Sequence, residues 1–177
     1  NENKVLFDFF QTGTYDKNRE FILTNSPSMD ILISSNLERL IYLIAGENAE
    51  KNSELMKSLK SEGLYTLTDE MKENLKDFSA GYATETEVQD IIKEVYSKTG
   101  YVIDTHTAVA AKVAKEYKAA SDDKCKTVIA STASPYKFAR SVMTSINEKY
   151  DALEEFDLID ELSKVSMVDI PNAIEEI

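Results

Sequence analysis

Residues 126–138 have the sequence KTVIASTASPYKF, and this stretch decides the prediction of the fold. The run from Lys126 to Ala130 is apolar and β-branched, which is typical of a buried parallel strand. Ser134 is a suitable N-cap and Pro135 a suitable first helical residue, so a helix is expected to follow. The stretch therefore predicts a strand, a polar loop and a helix in succession, as in α/β folds.

The loop of this unit is rich in hydroxyl groups. Ser131, Thr132 and Ser134 lie after the predicted strand and before the predicted helix. Ligands bind at the carboxyl ends of strands in open α/β sheets, so these hydroxyls are candidate ligand contacts. The same residues also suit a helix that is simply capped after a strand, with polar side chains that serve the backbone. The local pattern leaves both interpretations open.

Most of the remaining chain has the periodicity of amphipathic helices. Between Glu47 and Lys98 the pattern is helical almost throughout, and only residues 64–67 (LYTL) interrupt it as a candidate short strand. Residues 20–24 (EFILT) suit another short strand. So few short strands cannot form an independent sheet of normal size. We therefore expect a helix-rich α/β fold with a short parallel sheet that contains residues 126–130.

The organisation along the chain suggests a piece of a longer protein. The chain opens with Asn1-Glu2-Asn3-Lys4, which has neither an initiator Met nor the features of a signal peptide. Capping boxes are predicted at Ser35–Glu38 and at Thr84–Glu87, and Gly13 and Gly100 are expected to end the helices that precede them. We expect residues 1–34 and 101–177 to form an α/β lobe and residues 35–100 to form a mostly helical insertion.

The charge and the hydropathy pattern exclude two classes of partner. Lys and Arg number 20 against 32 Asp and Glu, so the net charge is −12 and the surface repels the phosphates of nucleic acids. The longest apolar run, Leu40 to Ala45, has six residues. A bilayer-spanning helix needs about 20. Neither nucleic acid nor a membrane is therefore expected as a partner.

The single cysteine and the single histidine limit the covalent and metal chemistry of the chain. Cys125 has no second cysteine with which to form an internal disulfide, which suits a reducing compartment and predicts a cytoplasmic protein. With Cys125 and His106 as the only residues of their types, no structural zinc site is expected.

His106 lies in the segment Asp104-Thr105-His106-Thr107, directly before a predicted helix. An Asp or Thr at this position usually caps the helix, and a lone histidine is usually structural. Alternatively, a carboxylate and an imidazole meet a ligand at the mouth of a second strand, residues 101–103 (YVI). No catalytic triad is assigned, because spacing along the chain does not provide triad geometry.

Four stretches carry a resemblance to a known family. They are 3–6 (NKVL) with 9–15 (FFQTGTY), 26–31 (SPSMDI) with 35–40 (SNLERL), 103–109 (IDTHTAV), and 131–138 (STASPYKF). In order and spacing these stretches resemble the C-terminal part of the threonine synthase family, which depends on pyridoxal 5′-phosphate (PLP). Thr105 stands where the family often has Pro, and Ser134 where it often has His.

The resemblance implies a fold and a reaction. The fold is that of the tryptophan synthase β subunit, with two α/β lobes and PLP between them. The reaction converts O-phospho-L-homoserine and water to L-threonine and phosphate. The lysine that forms the Schiff base with PLP and the loop that binds its phosphate lie in an earlier segment of the family. This chain would therefore hold no catalytic residue, would need the N-terminal part of the same protein as its partner, and would be inactive alone.

The resemblance also implies site residues. Thr132 matches the strand-end hydroxyl that donates to the pyridine nitrogen of PLP in related enzymes, with Ser131 as the near alternative. Asp104 and His106 match a helix-start segment that lines the cofactor cleft. A more peripheral set would form the rim of the substrate pocket, and it consists of Ser26, Ser28, Asp30, Asn36 and Lys137.

Two alternatives to threonine synthase stay open. The first is a related PLP-dependent lyase that acts on another phospho-hydroxy amino acid. The second is a non-catalytic interaction module whose binding surface is the acidic helical stretch 47–98.

Overall fold

Helices form most of the regular structure in residues 1–175, the part of the chain that the computed structural model describes. In chain order the α-helices are α1 (Val5–Thr12), α2 (Leu37–Ile44), α3 (Ala49–Ser61), α4 (Asp69–Glu73), α5 (Glu85–Thr99), α6 (Thr105–Ala120), α7 (Ala139–Ile146), α8 (Glu155–Ser166) and α9 (Asn172–Glu175). Short 3-10 helices occupy Pro27–Met29, Pro135–Phe138 and Glu148–Ala152. The predicted helix-rich fold is confirmed.

Local signals set several helix ends as predicted. Gly13 ends α1 and Gly100 ends α5, each with a φ of 73° that glycine adopts without steric cost. The capping box of Thr84 and Glu87 is present at the start of α5. The box predicted at Ser35 is wrong: Asn36 precedes α2 with helical backbone angles, and its side chain makes no capping hydrogen bond.

The sheet differs from the prediction in its members and in its direction. Strand β1 (Thr14–Asp16) pairs with β2 (Leu64–Thr66), so the candidate strand at 64–67 is confirmed. The two strands are antiparallel, with Tyr15 opposite Tyr65, and the prediction of a parallel sheet is wrong.

Residues 126–130 and 20–24 are not strands, which corrects the prediction for both segments. Their apolar side chains are instead exposed: Val128 is 92% exposed and Leu23 is 82% exposed. A strand exists only where its backbone pairs with a neighbour. The sheet of the described residues holds β1 and β2 alone, so neither segment has a partner there. A β-branched run therefore predicts that a segment prefers an extended backbone, but it does not predict which segment pairs with it.

The chain divides into two compact units. Unit 1 consists of Asn1–Leu23 and Ser28–Tyr82, and unit 2 of Thr24–Pro27 and Ala83–Ile177. The boundary at Tyr82 differs from the predicted limits of the helical insertion, 35–100. The lobe assignment concerns the whole protein and stays a prediction.

Unit 1 has an aromatic core built on α1 and the small sheet. Phe9 is fully buried, and its ring centroid lies 5.7 Å from that of Tyr15 and 6.0 Å from that of Tyr65. The Tyr15 hydroxyl donates to the carbonyl of Leu32 at 3.0 Å and accepts from the amide of Ser34 at 2.8 Å. This hydroxyl therefore ties the loop before α2 to the sheet.

The buried tyrosines predict a loss of stability at alkaline pH. Burial raises the pKa of Tyr15 and of Tyr65 above the ordinary value of about 10. The unfolded chain therefore loses these protons first, and the free energy of unfolding is expected to fall as the pH rises above about 10. Urea unfolding between pH 8 and 11.5 measures this slope. The Tyr65→Phe variant should lessen it, and Tyr42→Phe, at an exposed position of α2, should not.

Unit 2 is an assembly of packed helices, and this packing fixes the position of α6. Helix α5 packs against α6 and α7, and α7 packs against α8. The side chains of Ile92, Val142 and Leu158 are fully buried among these helices. Lys115 of α6 also pairs with Glu94 of α5 at 2.6 Å. Hydrogen bonds from Lys115 and Lys98 lower the pKa of Glu94 to about 2.

Candidate functional site

The start of α6 is organised by one buried carboxylate. Asp104 is 1% exposed and is the N-cap of α6. Its Oδ1 accepts the backbone N–H of His106 at 2.8 Å and that of Thr107 at 3.3 Å. This arrangement satisfies two amides that the helix leaves without an internal partner. The capping role foreseen for Asp104 is therefore present.

A chain of hydroxyls leads from this carboxylate to the polar loop. The Thr107 hydroxyl donates to Asp104 Oδ2. Thr107 Oγ1 also lies 2.9 Å from Ser131 Oγ, although the two residues are 24 positions apart in the chain. The structure thus brings Asp104 and Ser131, two of the predicted cofactor contacts, into one hydrogen-bonded group.

The imidazole of His106 is held in the same group. His106 Nδ1 lies 3.2 Å from Asp104 Oδ1, and its ring centroid lies 4.6 Å from that of Phe138. Because an ionised carboxylate only accepts hydrogen bonds, Nδ1 carries the proton of this contact. The side chains of His106 and Asp104 are both buried, so this contact fits a structural role for the histidine.

The three hydroxyls of the loop have different surroundings. Ser134 caps the 3-10 helix by accepting the N–H of Tyr136 at 3.3 Å, so the capped-helix interpretation accounts for this residue. It does not account for Ser131, which bonds to Thr107. Thr132 is exposed, and its hydroxyl makes no hydrogen bond to any residue in 1–175. Thr132 is therefore the hydroxyl of this loop whose oxygen neither donates nor accepts within residues 1–175, whereas the Ser134 oxygen already accepts from Tyr136.

Three of the predicted rim residues lie in unit 1. Asp30 Oδ1 accepts from the side-chain amides of Asn1 at 2.7 Å and Asn3 at 3.2 Å, so it orders the N-terminal segment. Asn36 is exposed, and its Oδ1 accepts from Arg39 at 3.2 Å. Ser28 is exposed within the 3-10 helix Pro27–Met29. The structure does not bring these three side chains into one hydrogen-bonded group.

The other two rim residues belong to unit 2. Ser26 is fully buried, and its Oγ lies 3.2 Å from Thr24 Oγ1. Lys137 is exposed, with Nζ 5.5 Å from the centroid of the Phe138 ring. Neither side chain contacts the group of Asp104, Thr107 and Ser131 through a hydrogen bond or ion pair described for residues 1–175.

Thr107 is the member of this group that sequence reasoning did not single out. It stands three positions after the N-cap Asp104, where a hydroxyl reaches back to the capping carboxylate. An Asp followed by Thr at this spacing is a local signal that points to the first contact. The second contact, with Ser131, has no signal in the sequence because it depends on tertiary packing.

Two further features concern metals and membranes. Within residues 1–175, no three His, Cys, Asp or Glu side chains are grouped so as to hold a metal ion. In the same residues, no helix has both the length and the apolar character that crossing a bilayer requires.

Comparisons with known proteins show what this chain is similar to in sequence and in fold. Residues 107–177 match the family model "Threonine synthase, C-terminal". The chain is 40% identical over 151 residues to human "Threonine synthase-like 1". This alignment covers 84% of this chain and 20% of that protein. The crystal structure of yeast threonine synthase superposes with a TM-score of 0.78 at 30% identity, over 99% of this chain and 40% of that one.

A structure with cofactor gives a similar result. PLP-bound threonine synthase from Brucella melitensis has a TM-score of 0.77 and 33% identity, over 96% of this chain and 34% of that one. The fold is thus that of a part of the PLP-dependent threonine synthases. The chain is homologous to the C-terminal part of the threonine synthase family, as its sequence motifs indicate. It spans about a fifth of the length of the threonine synthase-like relatives and about a third of the threonine synthases.

Proposed function

We propose that this chain is the C-terminal part of a PLP-dependent threonine synthase. The whole protein would convert O-phospho-L-homoserine and water to L-threonine and phosphate. PLP supplies an electron sink that stabilises negative charge while phosphate is eliminated and water is added. The observation that supports this proposal is the exposed, unbonded hydroxyl of Thr132 beside the hydrogen-bonded group of Ser131, Thr107 and Asp104.

The residues at this loop fit the cofactor. A pyridine nitrogen is a hydrogen-bond acceptor, and the Thr132 hydroxyl is a donor with no other partner in the described residues. A hydroxyl is a weak acid, so Thr132 would hold the ring nitrogen without protonating it. The carboxylate of Asp104 is occupied by two amides and by Thr107. We infer that Thr132 binds the ring nitrogen and that Asp104 and His106 shape the wall of the cleft.

The remaining machinery is assigned to the N-terminal part of the same protein. We propose that it contributes the lysine that binds PLP covalently and the loop that binds the PLP phosphate. The rim residues Ser26, Ser28, Asp30, Asn36 and Lys137 stay candidates for the substrate pocket. A cytoplasmic location is proposed on the basis of the single cysteine, Cys125.

The proposal is tested with the full-length protein and with this 177-residue chain side by side. Full-length protein is expected to retain PLP through gel filtration, to absorb in the visible range, and to release phosphate and L-threonine from O-phospho-L-homoserine. The 177-residue chain is expected to show none of these three properties. Folded full-length protein without bound PLP would contradict the proposal and favour the interaction module.

A lyase for another phospho-hydroxy amino acid is the second candidate. The relatives of 39% to 40% identity are named threonine synthase-like 1, whereas yeast threonine synthase is 32% identical over the 182 residues of its sequence alignment with this chain. Phosphate release from O-phospho-L-threonine and O-phospho-L-serine, measured beside O-phospho-L-homoserine, distinguishes the two. A higher kcat/KM for either alternative substrate would select the lyase.

A further inference from the structure

Three side-chain oxygens form a line of hydrogen bonds whose proton order can be worked out. The line runs from Asp104 Oδ2 to Thr107 Oγ1 and on to Ser131 Oγ. Asp104 and Thr107 are buried, and Ser131 lies at the exposed end next to Thr132. A hydroxyl has one proton to donate, so the direction of one bond constrains the next.

The carboxylate end of the line can only accept. Asp104 receives the backbone N–H groups of His106 and Thr107 at the N-terminus of α6, where a negative charge is stabilised. An ionised carboxylate has no proton to give. The hydrogen bond to Oδ2 therefore uses the hydroxyl proton of Thr107.

The direction of the second bond follows. Once Thr107 has donated its proton to Asp104, its oxygen can only accept along the 2.9 Å contact with Ser131. Ser131 must be the donor there, so its own proton points away from the solvent-exposed side of the loop. Ser131 then offers lone pairs to any ligand, while Thr132 keeps a proton to donate.

We propose that Asp104 is a positioning residue. By accepting the hydroxyl proton of Thr107, it makes Ser131 donate to Thr107 and so leaves Thr132 as the donor to the ligand. The proposal rests on the function proposed above, in which the ligand at this loop is the pyridine ring of PLP. It decides between the two hydroxyls that the sequence left as alternatives. It also gives the buried carboxylate a role beyond capping α6.

The Asp104→Asn variant is expected to reverse the direction in which the two hydrogen bonds of this line are donated. To keep the cap on α6, the carboxamide must direct its oxygen at the N–H groups of His106 and Thr107. Its NH₂ group then faces Thr107 and donates to it. Thr107 would donate to Ser131, and the proton of Ser131 would be free to enter the pocket.

Neutron diffraction from deuterium-exchanged crystals of the full-length protein locates the hydroxyl deuterons of Thr107 and Ser131 directly. The wild-type protein is expected to show the Ser131 deuteron directed at Thr107 and the Thr107 deuteron directed at Asp104. In Asp104→Asn both deuterons are expected to reverse. A wild-type map in which Thr107 donates to Ser131 would overturn the proposal. The wild-type map needs no variant to fold, and it can be recorded with or without PLP.

A second measurement separates this proposal from the proposed function. The ¹⁵N resonance of the pyridine nitrogen, recorded with labelled PLP in the full-length protein, is expected to move downfield in Thr132→Val because a hydrogen bond is lost. Ser131→Ala should leave it in place. A shift in Ser131→Ala with none in Thr132→Val would overturn the proton order. A protein that takes up no labelled PLP would instead contradict the proposed function, and the neutron map would still test the line.

Discussion

Replacing Thr132 with valine in the full-length protein is expected to slow threonine formation by about 5- to 150-fold. Valine keeps the volume of threonine but deletes its hydroxyl, the only hydrogen-bond donor of the side chain. A buried acceptor that loses its partner costs about 1–3 kcal/mol, and each 1.36 kcal/mol of transition-state stabilisation is tenfold in rate. Steady-state release of phosphate from O-phospho-L-homoserine measures the effect. The exposed hydroxyl of Thr132, with no partner in residues 1–175, motivates this choice.

Three observations on the same protein test the assignment to Thr132. Retention of PLP should fall less than the rate, because the upstream lysine and phosphate loop would bind the cofactor from its other end. Thr132→Asp should be worse than Thr132→Val, since a carboxylate would favour the protonated ring nitrogen and with it side reactions. Ser131→Ala deletes the neighbouring hydroxyl for comparison, and it should slow turnover less than Thr132→Val. Wild-type turnover in Thr132→Val would remove the role from this residue.

Phe9→Ala is expected to lower the free energy of unfolding of unit 1 by about 3–5 kcal/mol. The Phe9 ring is fully buried and contacts the rings of Phe10, Tyr15 and Tyr65. Truncation removes these contacts and leaves a cavity between α1 and the sheet that the surrounding aromatic rings cannot fill. Urea unfolding of the 177-residue chain, followed by circular dichroism, measures the loss.

Phe78→Ala provides the matched control for this prediction. Phe78 belongs to the same unit but is 46% exposed, so the same truncation removes far less buried contact. Its effect should stay within about 1 kcal/mol. Equal losses in the two variants would mean that the aromatic cluster does not stabilise unit 1 as described.

Local signals in the sequence predicted the helices well. Gly13 and Gly100 end helices because a left-handed residue without Cβ closes the last turn wherever the chain lies. The capping box at Thr84 needs only residues within one turn of each other. The box proposed at Ser35 failed because Asn36 already has a helical backbone, and the spacing of residue types does not report backbone angles.

The sheet was predicted poorly because its pairing is not local. Residues 126–130 have the composition of a buried strand, yet the segment is exposed and unpaired among the described residues. Strand β1 has only three residues, and its partner β2 lies some fifty positions away in the chain. Composition states how readily a segment extends, whereas pairing requires a second segment at the right distance.

For the candidate site, the sequence by itself determined which residue types were available and how the start of α6 would be capped. Asp104 caps this helix because its side chain reaches amides only two and three positions ahead, a geometry that any helix start imposes. Only the tertiary structure decided that Thr107 would meet Ser131 and that Thr132 would keep its proton. A hydrogen bond between residues 24 positions apart depends on how the loop packs against α6, and no local pattern encodes that approach.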